Sequence, residues 1–276
     1  MLDSVLLYLG FAITAIGALS ILWPLRFLRI RTRKSGAIVA TCGLLIVILV
    51  CALPARTKQV SSPTTKLDEW MPVWQFDEQH AIHVDASPEK VFEAIHAVRA
   101  DEIFLFRTLV AIRRCSRPGP ESIMNAPENK PLLDVATQTT FIYLADDAPR
   151  EIVVGTVISA PHDIPKPAKL TPEIFQKTLP PGVVLATMNY LITADSGGGS
   201  TVSTVTRVYG NSAAAVRQFA IYWHIIHPGS DIIRRTWLRA IKRRAESSTT
   251  EITKGTKENK DSFSVNFACF VVDCYA

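Results

Sequence analysis

Cysteine is scarce in this chain, and its few positions follow no pattern that cysteine chemistry would need. Five cysteines occur among 276 residues: Cys42 and Cys51 lie in an apolar stretch, Cys115 stands alone, and Cys269 and Cys274 are close to the C-terminus. This spacing matches neither a disulfide framework nor a zinc site. We therefore expect no set of disulfides and no structural metal.

Other absences exclude further classes of protein. The formal net charge is only +5, much of it in two short clusters, and no nucleic-acid-binding motif is present. The glycines at 197–199 are not followed by Lys-Ser or Lys-Thr, so they do not form a phosphate-binding loop. His224 and His227 lie one turn apart without a third ligand at suitable spacing. We expect no nucleic-acid partner, no bound metal and no cofactor.

Charge is absent from two long apolar runs near the N-terminus. The run Ser4–Leu25 has 22 residues and the run Ser35–Ala55 has 21, whereas a helix needs roughly 20 to cross a membrane. A cleaved signal peptide would have a basic start and a shorter apolar region, but this chain begins Met1-Leu2-Asp3. The sequence predicts a transmembrane hairpin over residues 1–58, with helices at about 4–25 and 35–55.

The connector between these runs carries most of the nearby positive charge. Five of its nine residues, from Arg26 to Lys34, are basic, whereas only Arg56 and Lys58 follow the second run closely. By the positive-inside tendency we place the connector in the cytoplasm and the large domain on the opposite side. We therefore expect a bacterial inner-membrane protein with an extracytoplasmic domain, and the lipid bilayer as a partner.

Composition divides the rest of the chain into three parts. Residues 59–69 are rich in Ser, Thr and Pro, which is typical of a linker. Residues 70–246 form the soluble domain. Residues 247–276 are a tail of unassigned structure, in which the partial alternation from Phe263 to Val272 is compatible with a strand.

Hydrophobic periodicity in the domain predicts a strand, two helices, four antiparallel strands and a long final helix. The opening strand spans 81–86, and Ser87-Pro88 then starts a helix in which apolar residues recur every three or four positions. A second helix is expected over 101–113. Alternating β-type runs follow at 139–144, 151–159, 183–193 and 200–209. The last helix is predicted over 212–246, with a kink at Pro228-Gly229.

This order resembles the SRPBCC superfamily, which includes the START and polyketide-cyclase-like helix-grip domains. The residues that carry the resemblance are the opening stretch Ile82–Phe92, the strand Thr204–Val208 and the segment Tyr222–Ser230 of the final helix. The resemblance implies an α+β helix-grip fold, in which a curved antiparallel sheet wraps a long C-terminal helix. It also implies a cavity between sheet and helix that suits lipids, sterols, polyketides or similar molecules.

We therefore expect a membrane-anchored module that binds an apolar small molecule, rather than an enzyme. Two alternatives stay open: a cyclase or dehydratase that uses the same cavity, and a structural or signalling module whose cavity is closed by side chains. No catalytic residue is assigned, and Arg207 is expected on the solvent side of its strand. The candidate ligand-binding residues are Phe141, Tyr143, Met188, Tyr190, Phe219 and Trp223.

Overall fold

The computed structural model describes residues 2–114, 119–161, 170–177 and 179–272, and within these ranges it describes the side chains from Val5 to Ser247 except that of Arg26. It has an α+β architecture: two apolar N-terminal helices, a five-stranded antiparallel sheet and a long C-terminal helix. The helices are α1 (Leu2–Leu22), α2 (Arg33–Ala52), α3 (Lys66–Trp70), α4 (Pro88–Ala97), α5 (Phe106–Arg113), α6 (Leu132–Thr139), α7 (Pro172–Gln176) and α8 (Ala213–Val272). The strands are β1 (Lys58–Gln59), β2 (Val73–Trp74), β3 (Phe76–Val84), β4 (Ile142–Asp147), β5 (Glu151–Ser159), β6 (Val184–Ala194) and β7 (Ser200–Gly210).

Helices α1 and α2 pack against each other along a line of glycines. A Cβ added at Gly17 would lie 2.2 Å from the backbone nitrogen of Ala40, and one added at Gly43 would lie 2.5 Å from that of Thr14. The backbones therefore approach too closely for any larger side chain at these positions. Both helices are long and apolar enough to cross a membrane. Their ends lie within three residues of the predicted ones.

The main sheet has the strand order β3-β7-β6-β5-β4, and every neighbouring pair is antiparallel. The four predicted β-runs correspond to β4–β7, and the opening strand begins earlier than predicted, at Phe76. Gly198 and Gly199 have positive φ values of 86° and 91° in the loop between β6 and β7. These left-handed conformations are readily adopted by glycine, which explains the glycine run at this hairpin.

Both faces of the sheet are covered by other elements. Successive residues of each strand point to opposite sides, so each strand contributes to two separate cores. On one face, Ile152 and Val154 join a core with α4, α6 and α8. On the other face, Val153 packs with Leu67 and Phe175 from α3 and α7. The domain is therefore three layers thick, with the long helix on one side only.

The segment 59–69, which composition predicts as a linker, has regular structure and packs against the sheet. Strand β1 pairs with β2, and α3 begins with a capping box formed by Thr65 and Asp68. The carboxylate of Glu151, which is 1% exposed, accepts hydrogen bonds from the backbone N–H groups of Lys66 (2.7 Å) and Leu67 (3.3 Å). A buried acid thus satisfies the first N–H groups of this short helix.

Arg207 holds the same segment against the sheet. The sequence predicted a solvent-exposed position for it, and the structure corrects this prediction. Its guanidinium donates to the carboxylate of Asp68 (2.7 Å) and to the backbone carbonyl of Met71 (3.0 Å). It also lies 3.9 Å above the ring centroid of Trp74. The strand position suggested exposure, but α3 and β2 cover this face and bury the cation against a carboxylate and an aromatic ring.

We expect the Asp68–Arg207 ion pair to make the protein sensitive to acid. Burial alone would raise the pKa of Asp68, but hydrogen bonds from Thr64, Arg207 and Thr65 outweigh it and lower the pKa from 3.8 to about 2. The resulting stabilisation is fully present above pH 3.8 and is lost as the pH falls through about 2. It is worth about 2 kcal/mol. Unfolding of the detergent-solubilised protein should show this loss between pH 6 and pH 2.

The matched variant for this measurement is Asp68→Asn, which keeps the shape but cannot titrate. Its unfolding free energy should be lower than that of the parent protein at pH 6, and the difference should shrink at pH 2. The same pH dependence in both proteins would show that the ion pair does not stabilise the fold.

The final helix follows the predicted stripe and continues beyond the predicted end. Phe219, Trp237 and Ile241 are each at most 4% exposed, as expected for its inner face. Pro228 lies inside the helix. The backbone remains helical to Val272, so residues 263–272 do not form the strand that their partial alternation suggested.

Candidate functional site

An apolar cavity of about 560 Å³ lies beside the Pro228-Gly229 pair of α8. We call it the lateral cavity, because it opens between α8 and α5 rather than over the centre of the sheet. Its volume is within the range of small-molecule sites. The lining residues are Tyr8, Phe106, Leu109, Val110, Ile112, Arg113, Ile123, Met124, Phe141, Tyr222, Ile225, Ile226, Gly229, Ser230, Ile233, Arg234 and Trp237.

One stripe of α8 supplies the longest wall of the lateral cavity. Tyr222, Ile226, Gly229, Ile233 and Trp237 are spaced by four, three, four and four residues, so they share one face of the helix. Gly229 is the gap in this stripe, since a Cβ added there would meet no atom within 4 Å. The missing side chain leaves part of the space that the cavity occupies.

Helix α5 supplies the opposite wall and part of the rim. Phe106 and Val110 point inward and are buried, whereas Ile112 is 67% exposed. Arg113, at the end of α5, donates from Nε to the Tyr222 hydroxyl at 2.8 Å, and its guanidinium also lies 5.4 Å from the centroid of that ring. A cation and a tyrosine therefore bridge the two walls at the mouth.

The first apolar helix reaches the mouth of the lateral cavity. The hydroxyl of Tyr8, on α1, donates a hydrogen bond of 2.7 Å to the backbone carbonyl of Ile225 on α8. Ile225 is itself half exposed and lines the cavity. The entrance is thus framed by side chains from α1, α5 and α8.

The inner end of the lateral cavity is rich in hydrogen-bond donors. The guanidinium of Arg234 contacts the sulfur of Met188 and lies 5.7 Å from the ring centroid of Trp237. Trp237 packs edge-on against Tyr190, with centroids 5.6 Å apart. Among the described residues, neither the Trp237 indole N–H nor the Tyr190 O–H donates a hydrogen bond. The Tyr190 oxygen lies beside the Arg234 guanidinium. Burial raises the pKa of Tyr190 well above its usual value of 10.0, and the Arg234 charge only partly opposes this shift.

A cluster of charged residues lies behind the lateral cavity, between α8 and β3. Ligand atoms of Glu78, His80 and Asp231 lie within 4.8 Å of one another. Each is already engaged: Glu78 accepts from Ser230 (2.7 Å) and contacts His80 (2.8 Å), while Asp231 accepts from Arg235 (2.8 Å). This network ties the helix to the edge strand. The absence of a bound metal stays a prediction.

The structure separates the six candidate residues into different places. Phe141 lines the lateral cavity. Met188 and Tyr190 belong to the core beneath α8, and half-buried Tyr143 packs against the same core. Phe219 and Trp223 pack with Phe76 in a second core near the start of α8 and do not line the cavity. Their roles as ligand contacts stay predictions, and Phe141 alone of the six faces the described cavity.

Sequence reasoning did not single out the residues of α5 or the two lining arginines. The glycine after Pro228 was visible as a helix breaker, but its missing side chain is informative only once the facing helix is known. In the sequence, Arg234 is one of six basic residues between positions 234 and 244, and cations are common toward the end of a helix. Its position opposite Met188 and Trp237 depends on the packing of α8 on the sheet.

No family model matches the chain, and no curated protein matches it. Among solved structures, the chain is similar to the di-domain ARO/CYC BexL from the BE-7585A biosynthetic pathway, with 14% sequence identity and a TM-score of 0.28. The similarity covers 77% of this chain and 59% of that protein, which is less than two thirds of its length. A likeness this remote carries no conclusion about function.

Proposed function

We propose that this protein is a membrane-anchored binding module of the SRPBCC type, in which the lateral cavity holds an apolar small molecule taken from the bilayer. The observation that carries the proposal is the cavity itself, which is apolar, sized for a small molecule and framed at its mouth by Tyr8 of an apolar N-terminal helix. A ligand could therefore pass from lipid to cavity without crossing bulk water.

Three features support the membrane anchor. Helices α1 and α2 meet the length and composition required, and most of their large apolar side chains point away from the domain and are exposed. The glycine line between them is the close packing that membrane helices use, since lipid supplies no hydrophobic force between helices. The basic connector lies at the end of the hairpin away from the domain. Its charge favours the cytoplasmic side, which would place the domain outside the cytoplasm.

The position of Tyr8 supports an entrance at the membrane surface. Tyr8 lies about 9 Å along α1 from its first residue, at a rise of 1.5 Å per residue. That depth is close to the boundary between head groups and hydrocarbon, where tyrosine is enriched. Two residues of the lining, Ile112 of α5 and Ile225 of α8, are exposed, and the neighbouring residues Phe104, Leu105 and Ile221 are exposed and apolar as well.

Binding explains the lining better than catalysis does. Among the described lining residues, the polar side-chain groups are two tyrosines, one serine, two arginines and the Trp237 indole N–H, with no carboxylate, imidazole or thiol. A cyclase or dehydratase in this cavity would have to use tyrosine or arginine for proton transfer, since these are the titratable side chains of the described lining. No observation favours the enzyme alternative over binding.

The sharpest test of the proposal is Gly229→Leu. The added side chain would project into open space and occupy part of the lateral cavity beside the α8 wall. Because leucine favours helices more than glycine by roughly 0.8 kcal/mol, the folded protein should be as stable as the parent or slightly more so. We expect affinity for apolar ligands to fall at least about tenfold, which corresponds to roughly 1.4 kcal/mol.

The measurement is retention of radiolabelled fatty alcohol, fatty acid and sterol probes on the full-length protein in nanodiscs, corrected with empty nanodiscs. Gln218→Leu is the matched control, since it adds a leucine to the exposed side of the same helix. It should bind as the parent does. No saturable binding of any probe to the parent protein would favour the closed, structural alternative.

A further inference from the structure

We infer that the inner end of the lateral cavity binds the anionic head group of an amphipathic ligand, with Arg234 as its counter-ion. The ligand class is a long-chain carboxylate, or another single-chain amphiphile with a small anionic head. The inference rests on the proposed function, because it concerns the same cavity, but it adds which chemical group the cavity selects.

The first step is the imbalance of donors and acceptors at the inner end. Arg234 offers five N–H donors, yet among the described residues it makes no ion pair with a carboxylate, and its partners are a thioether, a ring face and the neutral hydroxyl of Tyr190. Trp237 is 2% exposed and Tyr190 is 1% exposed, and neither the indole N–H nor the Tyr190 O–H donates a hydrogen bond to a described residue. A thioether and a neutral hydroxyl are poorer acceptors than a carboxylate, so among the described residues these three donor groups meet no ionised acceptor.

The second step is that nearby acids are committed elsewhere. Ser230 lines the lateral cavity, but its hydroxyl donates outward to Glu78, which also contacts His80. Asp231 forms a two-point contact with Arg235 on the next turn, at 2.8 and 3.2 Å. Neither acid therefore neutralises Arg234, and the cavity wall retains a net positive charge.

The third step is the energetic consequence for a ligand. Unpaired donors in an apolar site cost free energy, and hydrogen bonds to an ionised acceptor are stronger than those to a neutral one. A carboxylate reaching Arg234 could accept from the guanidinium and from the Trp237 indole. Its chain would then lie along the apolar wall formed by Phe106, Val110 and Ile226. A neutral or cationic head would leave the donors unpaired or add repulsion.

Arg113 is a poorer counter-ion than Arg234. It is exposed at the mouth, where water screens its charge, and it already donates to the Tyr222 hydroxyl. The anionic head is therefore assigned to the inner end, and the chain extends toward the mouth and the bilayer.

The experiment compares three probes with the same 14-carbon chain on the full-length protein in phosphatidylcholine nanodiscs: myristate, its methyl ester and the corresponding trimethylammonium. The parent protein should bind myristate more tightly than the ester by roughly 10- to 100-fold, and the ammonium more weakly still. Arg234→Gln should remove this preference and leave ester binding nearly unchanged. Arg234→Lys should retain part of the preference, because it keeps the charge but not the planar fork.

Arg239→Gln is the matched control, since it removes one charge from an exposed site on the same helix outside the cavity lining. It should keep the preference for myristate. Equal binding of acid and ester in the parent protein would overturn the anionic assignment while leaving the proposed function intact. Binding of none of the three probes would also overturn the anionic assignment, and it would remove the proposed function only if the sterol and fatty alcohol probes failed to bind as well.

Discussion

Replacing Trp237 with alanine is expected to destabilise the protein by about 3–5 kcal/mol, a large share of the stability of an ordinary domain. Trp237 is 2% exposed, packs on Tyr190 and carries Arg234 above its ring. Removing the indole leaves a space that the sheet and helix cannot close. Thermal or urea unfolding of the detergent-solubilised variant should show the loss.

The same substitution should also weaken ligand binding, because Trp237 lines the lateral cavity. Phe219→Ala is the comparison that separates the two effects. Phe219 is equally buried but belongs to the second core, with Phe76 and Trp223. For Phe219→Ala we expect a similar loss of stability, whereas the fraction that remains folded should bind the ligand with unchanged affinity. Reduced affinity in Phe219→Ala would instead support the ligand contact that the sequence predicts for this residue.

Replacing Gly17 with leucine is expected to separate α1 from α2. Even the Cβ would lie 2.2 Å from the backbone nitrogen of Ala40, and backbone cannot move aside as a side chain can. The helices would have to part by several ångströms, and the Tyr8 contact with α8 would be lost with them. Cross-linking between cysteines placed on facing positions of the two helices should fall to background.

Ala18→Leu is the control for the helix hairpin, since Ala18 is exposed on the neighbouring face of α1. It adds a larger side chain without meeting α2, and cross-linking should stay at the level of the parent protein. Equal cross-linking in Gly17→Leu would show that the hairpin does not depend on the glycine line.

Elements with strong local signals could be predicted from the sequence. The two apolar helices, the run of four antiparallel strands and the start of α8 follow from uncharged length, alternation and a continuous apolar stripe. Helix α6 was missed because it is only eight residues long, contains Val135 and two threonines, and has no side-chain cap. It is held by tertiary packing, with Leu132 and Leu133 fully buried in the main core.

The folded segment before β2 shows how composition can mislead. Ser, Thr and Pro around residue 65 suggested a linker, but Thr65 and Asp68 have the spacing of a capping box. Helix α3 is stabilised further by the carboxylate of Glu151, which is 85 residues away in sequence from Lys66. Contacts between residues far apart in sequence also could not be predicted for the lateral cavity. Its open space depends on the placement of α5 opposite Gly229 of α8.

Because residues 58–74 fold onto the domain, the flexible linker between the domain and the proposed membrane helices is short. Only residues 53–57 separate the end of α2 from β1, and an extended chain of that length reaches roughly 17 Å. A free linker through residue 69 would have reached about three times as far. If α1 and α2 lie in a bilayer as proposed, the short linker keeps the domain close to the membrane surface and limits its rotation. Its search for a ligand is then a search across two dimensions, with the entrance always facing the lipid.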